Sequence, residues 1–172
     1  GGLADQSGKT TALHTATHLL HAALRRVLGD HVEQAGSNIN DKRLRFDFTH
    51  PEKVSKEQLQ EVQNLVNDVI RRNVPVKCEE MSLEEARESG ALGLFGDRYG
   101  DRVKVYEVEE FSKEICGGPH ATRTGDLGEF KSQKKRVPAA AFAGSRLFCY
   151  NTSCLSETRV SLAWAPAGRV TG

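Results

Sequence analysis

Three patterns predict an α+β fold: apolar residues spaced by three and four over residues 13–27, strict alternation over residues 43–48, and short connections that favour antiparallel pairing. The expected architecture is an antiparallel or mixed sheet with helices packed on it. At 172 residues the chain holds one domain with a real core and falls short of two ordinary ones.

Residues 1–11 are small and polar, with Gly at 1, 2 and 8, and read as a flexible N-terminus. Thr10 or Thr11 stands where a side-chain oxygen would cap the following helix. Leu13, Ala16, Leu20, Ala23, Leu24 and Val27 form its apolar stripe, and Gly29 stops it. Residues 32–39 are weakly extended, and the next strand buries Leu44, Phe46 and Phe48. Ser55 and Gln58 make a capping box for a second helix carrying Leu59, Val62, Val66, Val69 and Ile70, which closes at Asn73 and Pro75. Residues 74–81 read as a strand, and Ser82 with Glu85 opens a short third helix ended by Gly90. A Gly-rich loop over 91–101 precedes strands at about 102–108 and 112–116 and a turn at Thr124 to Asp126.

With 38% apolar and 27% charged residues, this is the composition of a globular protein. No apolar run approaches the roughly 20 residues that span a bilayer, and no signal-peptide pattern opens the chain, so no membrane partner and a cytoplasmic location are expected. Four scattered cysteines argue for a metal or inert core positions over a disulfide framework. Of the overall charge of +1, residues 132–172 carry +5, leaving −4 on residues 1–131. That is poor material for gripping a phosphate backbone. Arg25, Arg26, Lys42, Arg43, Arg45 and Arg123 are candidates for a local basic patch, or simply solvated arginines and lysine.

His14 and His18, four apart on one helix, face the same side, and Cys116 and His120 repeat that separation across two glycines. Two pairs of nitrogen and sulfur donors suit one tetrahedral Zn²⁺, although packed histidines and an inert cysteine account for the same residues. His21 shares the helix face, as a substitute ligand or as a neighbour of the ligands. His31 and His50 lie beside turns and are expected to be exposed; Cys78 is expected in the core. There is no Ser-His-Asp arrangement, no Walker A pattern and no G-x-G-x-x-G, which excludes ATP binding and amino-acid activation.

The strings His14-Thr-Ala-Thr-His-Leu-Leu-His-Ala-Ala-Leu, Leu28-Gly-Asp-His-Val, Leu44-Arg-Phe-Asp-Phe, Met81-Ser-Leu-Glu-Glu-Ala, Leu94-Phe-Gly and Cys116-Gly-Gly-Pro-His, with Gln34, Gly36 and Ser37, occur in colinear order over residues 12–131. This stretch resembles the editing domain of alanyl-tRNA synthetases, a module also found in free-standing alanyl-tRNA editing proteins. The resemblance implies that His14, His18, Cys116 and His120 hold Zn²⁺, that Gln34 is the editing-site glutamine with a catalytic role, and that Thr17 meets a serine side chain of the substrate. It implies hydrolysis of the ester joining serine or glycine to the 3′ end of tRNA(Ala), with the acceptor end as partner and further synthetase domains in a parent protein. Pro119 departs from the family, which usually has Thr there; a Gly-Pro-His ending is similar to the threonyl-tRNA synthetase editing domain. Two other readings are therefore editing of serylated tRNA(Thr), and a catalytically impaired, zinc-stabilised tRNA-binding fragment.

After Lys131 the character changes: residues 132–145 carry neither a helical nor a strand period. At that place the family has F-K-I-x-K-E-E-S-x-x-x-G-V-R-R-I, and restoring one A after the codon of Lys131 permits that string in register. Residues 132–172 are accordingly expected to be an aberrant, out-of-frame and poorly ordered tail; a genuine basic extension that touches tRNA is the alternative.

Overall fold

The computed structural model describes residues 8–40, 43–52, 54–93, 99–136 and 148–152. These run α1 (Gly8–Leu28), β1 (Gln34–Asn40), β2 (Arg43–Phe48), α2 (Lys56–Arg72), β3 (Lys77–Ser82), α3 (Leu83–Glu88), β4 (Arg102–Val108), β5 (Ser112–Ile115), a 3₁₀ turn (Thr124–Leu127), β6 (Ser132–Arg136) and β7 (Phe148–Thr152). The strands form two antiparallel sheets, one ordered β1-β2-β7-β6 and one ordered β3-β4-β5. The α+β expectation holds.

The helix α1 is the centre of the packing, in contact with α2, β1, β2, β5 and the 3₁₀ turn. Its stripe of Leu13, Ala16, Leu20, Ala23 and Leu24 is buried as the spacing predicts, but so are Ala12, Thr15, Thr17, His18, His21 and Ala22. Small residues on the remaining faces let neighbours close in on all sides. The hydroxyls of Thr15 and Thr17 meet the helix's own carbonyls, donating to Thr11 at 3.2 Å and to Leu13 at 2.9 Å. Thr10 is buried within the helix, so neither it nor Thr11 is the cap: α1 already includes Gly8.

Strand β2 alternates as read, with Leu44, Phe46 and Phe48 sealed from solvent against α1. Both capping boxes form, Ser55 with Gln58 and Ser82 with Glu85, and α2 ends on Asn73 in the left-handed conformation. Pro75, which has no amide to give a ladder, makes only an isolated bridge to Arg123, so β3 starts two residues later. Gly29 (φ 115°) ends α1 in a backbone conformation that L side chains rarely adopt. A small second core of Ala86, Val103, Val105 and Ile115 lies in the three-stranded sheet and α3.

Two expectations fail. Cys78 is exposed, because β3 is an edge strand whose residues 77 and 79–80 are exposed with it. His50 is buried, because the His31 ring covers it with centroids 5.1 Å apart and a 2.8 Å nitrogen–nitrogen contact. Burial, and then the His31 ring, lower the pKa of His50. The Leu94-Phe-Gly string of the Gly-rich loop lies outside the described residues.

Beyond Lys131, described residues 132–136 and 148–152 pair as strands, β7 lying between β2 and β6. The rest of the expected tail falls outside the described residues. The chain enters β6 pinned to α2: Asn67 Nδ2 donates to the Phe130 carbonyl and its Oδ1 accepts from the Phe130 amide, both at 2.8 Å, and Gln63 Oε1 accepts from the Ser132 amide at 2.9 Å. Phe130 itself is fully buried. Asn67→Ala strands both backbone groups and is expected to lower the unfolding free energy by about 1–3 kcal/mol in denaturant titration, with Asn67→Asp, which keeps the acceptor, losing less.

Candidate metal centre

Four residues converge: one donor atom each from His14, His18, Cys116 and His120 lies within 4.8 Å of all the others. Helix α1 supplies the first two and the segment after β5 the last two, His14 and Cys116 being 102 positions apart in the chain. A mutual arrangement this tight needs the loop to run close under the helix. The reason it does so is Gly118: a Cβ there would sit 2.3 Å from His14 Cε1, whereas one at Gly117 would meet nothing within 4 Å. Only the second of the two glycines is demanded by contact.

The imidazoles are oriented by their Nδ1 atoms. His14 Nδ1 donates to the Pro119 carbonyl at 3.1 Å. The Thr15 hydroxyl, which gives its proton to Thr11, accepts from the Ala121 amide at 2.9 Å and has His120 Nδ1 at 3.1 Å. With the Thr15 proton on Thr11, its oxygen is left to accept from His120 Nδ1. His18 Nδ1 lies 3.5 Å from a Glu114 oxygen. With their Nδ1 protons so placed, His14 and His120 keep the lone pairs of Nε2. Among the described residues, His120 Nε2 is buried with no hydrogen-bond partner, and His14 Nε2 is 3.4 Å from the Cys116 sulfur.

An orphaned buried nitrogen, with three imidazoles and a thiol converging on one point, is what a tetrahedral borderline cation such as Zn²⁺ requires, so the residues fit that group. The electrostatics agree, because metal ligation needs neutral imidazoles. Burial pushes His14 down to about 4 and His120 down to about 2, reinforced in each by neighbouring imidazoles. Burial also lowers His18, against the pull of Glu114. Burial alone would raise the Glu114 carboxyl, but the imidazoles of His18, His21 and His14 together hold it below its usual range. Tyr106 lies against His120 with centroids 4.0 Å apart, and burial, then the Cys78 thiol, push its phenol up to about 12.

Of the other expected site residues, Thr17 is buried on α1 with its hydroxyl donated to Leu13, and Gln34 opens β1 with its amide 3.3 Å from Ser37 Oγ. Both bonds are local. The expected basic patch is largely committed elsewhere. Arg25 bonds the Asp30 and Val32 carbonyls, Arg26 the Glu110 carbonyl, Arg45 the Asp47 carboxylate and Arg123 the Asn73 side chain and carbonyl. Lys42 lies outside the described residues. Glu114, Thr15 and Tyr106 were not singled out by the sequence; an acid two places before the cysteine on the same strand face was the available signal for Glu114.

Two measurements test this geometry. Gly118→Ala is expected to weaken Zn²⁺ binding by about 10–100-fold in chelator competition, and Gly117→Ala to leave it unchanged. In the metal-free protein, imidazoles that resist protonation when folded contribute stability that is complete above their ordinary pKa of 6.5 and is lost as pH falls toward about 4 for His14. The denaturation midpoint should therefore fall between pH 7 and 5, and fall less in His14→Asn.

Residues 103–139 match the family described as the threonyl and alanyl tRNA synthetase second additional domain. The chain is 59% identical over 140 residues to the alanine–tRNA ligase of Treponema pallidum (strain Nichols), covering 81% of this chain and 23% of that protein. It is 56% identical over 136 residues to that of Borreliella burgdorferi, covering 79% and 23%, and 52% over 137 residues to that of Haemophilus influenzae (strain PittGG), covering 80% and 16%. The chain thus spans about a quarter or less of the length of these curated relatives. Residues 103–139 thus belong to the second additional domain family of threonyl and alanyl tRNA synthetases, and about four fifths of the chain is similar to alanine–tRNA ligases.

Proposed function

We propose that this chain is an aminoacyl-tRNA editing domain that holds Zn²⁺ on His14, His18, Cys116 and His120 and hydrolyses the ester of serine or glycine on the 3′ end of tRNA(Ala). The observation that carries the reading is the convergence of those four donors, with His120 Nε2 bare, in a chain of this family. Such an activity answers a physical need. A pocket built for alanine separates it from a residue with one more hydroxyl or one fewer methyl by only about 1–3 kcal/mol, so errors must be destroyed at a second site.

When bound, the ion supplies positive charge that can orient the substrate or polarise the ester carbonyl. The chain's own residues do the rest. Pro119, Thr15 and Glu114 hold the three Nδ1 protons, so the ligand rings keep one orientation through turnover. Thr17 donates its proton to Leu13 and so offers a substrate hydroxyl a lone pair; Gln34, whose amide already donates to Ser37, offers its carbonyl oxygen as an acceptor. Four protein donors complete a tetrahedral shell, which favours an orienting role for the ion. With Arg25, Arg26, Arg45 and Arg123 engaged within the fold, the domain is expected to bind tRNA weakly and to rely on other synthetase domains for delivery.

The proposed location is cytoplasmic; no helix among the described residues is long and apolar enough to cross a membrane. We further propose that residues 132–172 are translated out of frame, supported by the change of character after Lys131. Sequencing the gene across codon 131 is expected to reveal one missing nucleotide; an intact frame sinks this part of the reading.

Pro119 supports a second reading, editing of serylated tRNA(Thr). Purified chain is expected to deacylate Ser-tRNA(Ala) faster than Ser-tRNA(Thr), and to lose at least about 100-fold in rate with Cys116→Ala or His120→Ala. The reverse preference selects the threonyl reading. Tight metal binding without deacylation of either selects the impaired tRNA-binding fragment.

A further inference from the structure

Among the three anchors of the imidazole Nδ1 atoms, two are neutral: a carbonyl for His14 and a hydroxyl for His120. The third, Glu114 on β5, is charged and only 6% exposed. Its Oε2 lies 3.5 Å from His18 Nδ1 and its Oε1 lies 3.1 Å from His21 Nδ1. On its far side His21 Nε2 lies 3.4 Å from the Val32 carbonyl, which also accepts from Arg25. A buried carboxylate is costly unless each oxygen has a donor, and here each has an imidazole one helical turn from the other.

We propose that Glu114 is a positioning residue for the metal centre: it accepts the Nδ1 proton of His18, which leaves the His18 Nε2 lone pair for the ion, while His21 grips the other carboxylate oxygen. The inference rests on the reading of the four-residue cluster as a metal site. His21 then clamps Glu114 and is no ligand. The charge matters as much as the direction. An anionic acceptor makes the imidazole a stronger donor to a cation than a carbonyl does, and it offsets part of the ion's charge in a buried place.

Glu114→Gln separates this role from mere packing. A carboxamide of the same shape has one accepting oxygen and one donating NH₂. It cannot accept from both rings, and where its NH₂ faces His18 that ring must carry its proton on Nε2 and lose the lone pair. The full chain is stripped of metal and loaded with Zn²⁺ in chelator competition and with Co²⁺ for visible absorption, and its metal-free stability is followed in denaturant. Wild type is expected to bind both ions. Glu114→Gln is expected to lose about 10–100-fold in affinity and to shift the Co²⁺ ligand-field bands while keeping its thiolate charge-transfer band, which a packing defect distant from the ligands would not do. Equal affinity and an unchanged Co²⁺ spectrum in Glu114→Gln overturn the proposal. Should that variant not fold, His21→Gln, which leaves Glu114 in place but loosens it, takes over with an expected loss of about 10-fold, and unchanged binding again overturns it. Absence of metal binding in wild type would instead remove the metal-centre reading beneath it.

Discussion

The fate of three imidazole protons governs this molecule. A histidine buried near other histidines can be neutral in either of two tautomers, and only one of them turns a lone pair inward. Here a carbonyl of the Cys116–His120 loop, a hydroxyl of α1 and a carboxylate of β5 each face one Nδ1 atom. These acceptors come from distinct parts of the chain, so the site's chemistry is specified by the packing of the whole fold, not by the ligands alone.

That packing depends in turn on how closely α1 can be approached. A helix with large residues on every face would hold its neighbours at the usual 8–10 Å and leave the Cys116–His120 loop too far away. Alanine and threonine on its non-leucine faces remove that spacing, and the threonines satisfy their hydroxyls against the helix itself. Gly118 completes the approach from the other side. The two faces of the contact are matched: small residues on the helix, and no side chain on the loop at the point of nearest passage.

Much of this was legible in the sequence because it is periodic or punctuated. The H-x₃-H spacing places His14 and His18 on one face, the alternation of β2 buries Leu44, Phe46 and Phe48, and the two capping boxes mark their helices. What could not be read depends on residues distant in sequence. Glu114 in Ser-Lys-Glu-Ile reads as an ordinary strand acid, and its burial arises only where β5 meets α1. His50 is buried by a ring nineteen residues away, and Cys78 is exposed because β3 has a neighbour on one side only. The arginines looked available because sequence does not disclose that backbone carbonyls wait within reach of Arg25 and Arg26. Strands β6 and β7 pair through backbone groups, for which residues 132–136 carry no side-chain alternation to read.

The separation of the two donor pairs has a topological consequence. A cation gripped from both sides would be a cross-link closing a loop of 102 residues, which embraces both sheets' first strands, α2 and α3. Such a staple acts mainly by shrinking the conformational freedom of the denatured chain, an entropic effect that grows with the logarithm of loop length. Chelation would accordingly be felt as reduced cooperativity and endurance of the entire domain, far beyond the few ångströms around the thiol.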